Sequence, residues 1–122
     1  MLALSLTALA VALPSASAAP SPVHFSISSN ARYVSPTSIL VPVTVTCPVG
    51  LTAFVFVQVQ EQNLTNAIGS GALNNVTCSG SAQTLAVPVA GTGFTPGKAY
   101  ATGSAFAGAT FDQDTRQIQI VV

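Results

Sequence analysis

Ile39-Leu40-Val41-Pro42-Val43-Thr44-Val45-Thr46-Cys47 decides the fold class. Ile39, Val41, Val43, Val45 and Cys47 fall on one phase of a two-residue period, with Pro42, Thr44 and Thr46 on the other. That period marks a strand with one buried face. β-branched side chains, which lose rotamer freedom in a helix, fit a pleated surface well. Pro42 has no amide hydrogen for a ladder, so an edge or a bulge is expected at that point.

The pattern continues on both sides. Val23 to Ser28 alternates and predicts a first strand with Val23, Phe25 and Ile27 inward. Ala53-Phe54-Val55-Phe56-Val57-Gln58-Val59-Gln60 begins apolar on both faces, as if covered twice, and ends alternating. Asn63 to Gly71 is polar and glycine-bearing, which reads as a loop with room for a short edge strand. Val76-Thr77-Cys78 is a short strand, and Gln83 to Val89 another, with Leu85, Val87 and Val89 buried. Pro96-Gly97 suits a type II turn. Lys98 to Ala107 alternates tiny residues (Ala99, Ala101, Gly103, Ala105) with Tyr100, Thr102, Ser104 and Phe106. Thr115 to Val122 closes the fold, with Ile118, Ile120 and Val122 inward. About seven strands within about 100 residues, with frequent turn signals, predict an all-β, immunoglobulin-like two-sheet sandwich.

The N-terminal segment reads as an export signal. Leu2 to Leu13 is apolar apart from Ser5 and Thr7, and is shorter than the roughly 20 residues a membrane span needs. Ala16-Ser17-Ala18 is a cleavage site, so residues 1–18 are the expected signal peptide and 19–122 a single domain. Cleavage after Ala19 would start the chain at Pro20 instead. No Lys or Arg precedes the apolar run, so the start lies upstream or the signal is atypical. Secretion without a transmembrane anchor is the expectation. In that compartment Cys47 and Cys78, the only cysteines, are expected to form a disulfide. It would tie the second strand to the short strand before Leu85.

Charge is scarce: Arg32, Lys98 and Arg116 against Glu61, Asp112 and Asp114, with His24 the sole histidine. No basic patch exists for nucleic acid. Little net repulsion opposes self-association. His24, on the outward side of the first strand, would need Asp112 or Asp114 and an activated serine to form a triad, and no nucleophile elbow is present. Paired carboxylates for glycoside hydrolysis would have to come from Glu61, Asp112 and Asp114. Asp112 and Asp114 would point the same way if extended, but the calcium-loop pattern is incomplete, and solvated turn residues are the better reading. Zinc lacks ligands once the cysteines are paired. Asn63-Leu64-Thr65 and Asn75-Val76-Thr77 match a glycosylation sequon at the frequency chance allows. No catalytic, cofactor-binding or metal-binding residue is therefore expected. Phe54, Phe56, Tyr100 and Phe106 are expected to fill the core, with an aromatic patch for a sugar or apolar ligand as the weaker alternative.

Cys47, then Phe56-Val57-Gln58-Val59-Gln60, then Cys78-Ser79-Gly80-Ser81-Ala82-Gln83-Thr84, then Phe94-Thr95-Pro96-Gly97-Lys98-Ala99, resembles a group of small exported actinobacterial proteins. Those are immunoglobulin-like domains of unknown function, and the resemblance runs from Thr37 to Val122. It implies export, one disulfide and a β-sandwich, and supplies no catalytic residue. A looser likeness, of fold only, is to the apoproteins that carry enediyne chromophores, whose closely spaced cysteine pairs are absent here. The expected function is an exported, non-enzymatic module that binds or adheres at or outside the cell surface, with an extracellular or cell-envelope ligand. Two alternatives stand beside it. One is a carrier of a small apolar ligand, motivated by the small-residue face from Ala99 to Ala107. The other is a self-assembling structural protein of the cell envelope, motivated by low charge and β-rich edges.

Overall fold

The computed structural model describes residues 23–62 and 66–122, so the signal segment and the first sequon lie outside the described residues. The rest is strand and connection: β1 (His24–Ile27), β2 (Asn30–Ser35), β3 (Ser38–Thr46), β4 (Thr52–Glu61), β5 (Ile68–Thr77), β6 (Gln83–Gly91), β7 (Gly97–Ala107) and β8 (Thr110–Val121). Among the described residues no helix is long and apolar enough to cross a membrane.

The expected two-sheet sandwich is corrected to a closed barrel of seven strands. Pairing runs β3–β2–β8–β7–β4–β5–β6, and β6 then pairs with β3 along Ser38↔Ala90 to Val45↔Gln83. β1 and β2 together occupy one stave. They lie in succession along the same side of β3, β1 against Val43–Thr46 and β2 against Ser38–Leu40.

Two flanks that a sandwich leaves open are joined here. On the first, β5 follows β4 and then reaches β6 through Gly69↔Gly91 and Ser70↔Ala90. The approach is too close for side chains: a Cβ on Gly71 would stand 2.0 Å from the Pro88 carbonyl oxygen, and one on Gly69 2.6 Å from the Phe94 ring. Glycine inside a strand marks such a corner. On the second flank, β2 leaves β3 and pairs parallel with β8 at Asn30↔Gln119 to Arg32↔Val121.

Inside sit the residues of the expected phase, including Phe25, Ile27, Ile39, Val41, Val43 and Val45, all buried. Phe94, from the loop after β6, is buried as well and fills the space the β5–β6 glycines leave. Val122, expected inward, is exposed.

Pro42 is on no edge, because β3 is paired on both sides. Its carbonyl accepts from the Ser28 amide. A strand residue offers both backbone groups to the same neighbour, so its missing donor faces the break between β1 and β2. Neither the expected edge nor the expected bulge occurs at Pro42; the neighbouring strand is interrupted there instead.

Cys47 and Cys78 form the disulfide, with S–S 2.05 Å and Cα–Cα 5.2 Å. It joins the end of β3 to the end of β5.

Candidate functional site

The aromatic side chains expected in the core lie outside it. Phe54 is 40% exposed, Tyr100 43% and Phe106 43%, and Phe111, not singled out from sequence, is 55% exposed. The reason is register. Along β4, Val55, Val57 and Val59 are buried while Gln58 and Gln60 are exposed. A strand alternates strictly, so the phase that sends the glutamines to water sends Phe54 and Phe56 with them. Thr102 and Ser104 fix β7 in the same way, and Tyr100 and Phe106 share their face. That signal was present in the sequence. Reading the first half of β4 as covered on both faces hid it.

Antiparallel pairing then aligns these side chains in rows across β4, β7 and β8. Phe54, Phe106 and Phe111 form the first row. Their rings touch in sequence: Phe54 to Phe106 at 6.5 Å between centroids, tilted 41°, and Phe106 to Phe111 at 5.5 Å, stacked at 22°. Such spacings fall in the favourable range for aromatic pairs. The second row is Phe56, Ser104 and Gln113, the third Gln58, Thr102 and Thr115, the fourth Gln60, Tyr100 and Gln117. Thr102 and Thr115 hydrogen-bond through their hydroxyls at 3.0 Å. No charged side chain stands in these four rows; Lys98, opposite Gln119, begins the next.

The small-residue phase of β7 faces inward. Ala99, Ala101, Ala105 and Ala107 are buried, and a Cβ on Gly103 would stand 3.0 Å from the Phe25 ring. The volume those side chains leave at Gly103 is taken up by Phe25.

Asp112 and Asp114 are corrected from turn residues to members of β8, which begins at Thr110 after a two-residue turn at Gly108-Ala109. Gly108 has φ 60°, the conformation hairpin turns place at their first central residue when it is glycine. The two carboxylates do point the same way, toward β1. The Asp112 carboxylate accepts from the Phe25 amide and that of Asp114 from the Ile27 amide, each at 2.8 Å. They replace a backbone ladder between β1 and β8. Arg116 lies 4.0 Å from Asp114. His24 is exposed on the outer face of β1, as expected. Among the described residues, no group of three or more His, Cys, Asp and Glu is placed to hold a metal ion.

The burial of one carboxyl group escaped the sequence reading. Glu61 continues the inward phase of β4 and is 0% exposed. Its Oε1 accepts from the Thr95 amide at 2.8 Å and its Oε2 from the Thr95 hydroxyl at 3.3 Å. It thereby fastens the loop that carries Phe94 over one end of the barrel. Counting phase from Val55, Val57 and Val59 would have placed it inside. No known family model matches this chain, and no curated protein is similar to it in sequence.

Proposed function

We propose that this protein is an exported, non-enzymatic binding module whose contact surface is the outer face of β4, β7 and β8. The observation that carries the reading is the register-aligned row Phe54–Phe106–Phe111, exposed on a face whose four rows hold no charge. Large apolar side chains brought together at a surface are what contact sites use. The aspartates are engaged by β1 amides and Glu61 by Thr95, so each carboxylate has a structural task in place. The disulfide fits an oxidising compartment.

Co-sedimentation with the cell envelope of the producing organism tests the proposal. The oxidised protein should pellet with the envelope, and the F54S/F106S/F111S variant should remain in the supernatant with its unfolding midpoint little changed. Equal pelleting of both proteins refutes the assignment of this face. A hydrolytic activity abolished by His24→Ala would refute the non-enzymatic part.

A further inference from the structure

Beside the phenylalanine row the face is concave and polar. Two shallow depressions, of about 250 Å³ and about 200 Å³, meet at Thr102. Gln58, Gln60, Tyr100 and Thr115 wall the first; Phe56, Ser104 and Gln113 wall the second. The furrow exists because β7 carries short Thr102 and Ser104 beside longer Gln58 and Phe56 on β4, with Gln113 across from Ser104 on β8 and an equally short Thr115 across from Thr102. It follows β7 from Tyr100 to Ser104, roughly 13 Å at the rise of a strand. The Tyr100 ring thus walls one end and the Phe56 ring the other, with amides and hydroxyls between.

We propose that this furrow binds a neutral, linear polysaccharide lying along β7. The inference rests on the reading of this face as the contact surface and names its ligand. Sugar rings have an apolar C–H face and a rim of hydroxyls that both donate and accept. Tyr100 and the phenylalanine row match the first. Gln, Thr and Ser side chains, which also donate and accept, match the second. A charged ligand would be desolvated here with no opposite charge to meet it. A purely apolar ligand would strand the lining amides and hydroxyls without partners. A second copy centred on the furrow fits poorly, because a two-fold axis through it sets furrow against furrow and leaves a void where interfaces are close-packed.

Affinity electrophoresis of the oxidised protein tests the inference in native gels containing hydroxyethylcellulose, glucomannan or linear dextran, with polygalacturonate as the acidic counterpart. At least one neutral gel should retard the protein, and polygalacturonate should not. Tyr100→Ala and Thr102→Val, both at exposed positions, should each weaken the retardation by up to about tenfold, the effect of losing one ring contact in the first and one hydrogen bond in the second. Unchanged retardation in both variants overturns the assignment of the furrow. Retardation in polygalacturonate alone overturns the neutral class. No retardation in any gel, with envelope binding still lost in F54S/F106S/F111S, overturns the glycan and leaves the contact face standing. Concentration-dependent dimers in sedimentation, dispersed by Tyr100→Ala, assign the furrow to a second copy and overturn the proposal.

Discussion

At the scale of single residues, the aspartates of β8 are the least expected feature. A carboxylate accepting an amide hydrogen bond is stronger than a neutral pair, and removing it leaves a partly buried donor unmatched. Asp112→Ala and Asp114→Ala should each lower stability by about 1 to 3 kcal/mol. The corresponding asparagine variants, which keep an acceptor oxygen, should lose less. Urea unfolding at neutral pH measures both. The outer aromatics behave oppositely. Phe106→Ala should shift the urea midpoint only slightly, since 43% of the residue already meets water, whereas a core phenylalanine truncation costs about 3 to 5 kcal/mol. A large loss of stability in Phe106→Ala would show that the ring supports the barrel from outside.

At the scale of elements, strands with a clean period of two were legible, and strands shaped by close approach were not. β3, β4, β6 and β7 follow from alternation alone, because one face of each is apolar apart from Glu61 at the end of β4 and Gln83 at the start of β6. β5 (Ile68–Thr77) reads from sequence as a loop with room for a short edge strand up to Gly71 and a separate short strand from Val76, because its glycines are dictated by a neighbouring backbone, which a single sequence does not display. Asn75 has φ 59° where the β4–β5 register shifts between Ala53 and Val55, so an Asn-Asn pair that resembles a turn is a bulge inside a strand. β2 was hidden because only Ala31 of it is fully buried. The face now proposed as the site was legible in principle, since Gln58 and Gln60 fix its phase, and was obscured by the habit of placing phenylalanine inside. Two substitutions test the element reading. Gly71→Ala, whose Cβ would collide with the Pro88 carbonyl, should prevent or severely weaken folding. Asn75→Val should destabilise by about 1 to 2 kcal/mol through its left-handed backbone, and Asn75→Gly should not. Thermal melts of the variants that fold, and circular dichroism of Gly71→Ala, report both.

At the scale of the whole molecule, closure is what distinguishes this barrel from the sandwich expected of it, because a closed sheet leaves almost no unpaired strand edge. The disulfide spans a sequence separation of 31 residues, for which the chain-entropy model gives about 3 to 4 kcal/mol. Denaturation with and without a reductant should show that difference, with the reduced protein keeping its envelope binding wherever it remains folded. Closure also imposes an order of events on synthesis. The amides of Phe25 and Ile27 find their acceptors 87 residues later in the chain, and β2 pairs with the final residues of β8. The stave made first must therefore wait, unsatisfied, for the stave made last. A nascent chain halted at Gly108 would lack the β8 partner of both, so the barrel closes only once β8 has been made.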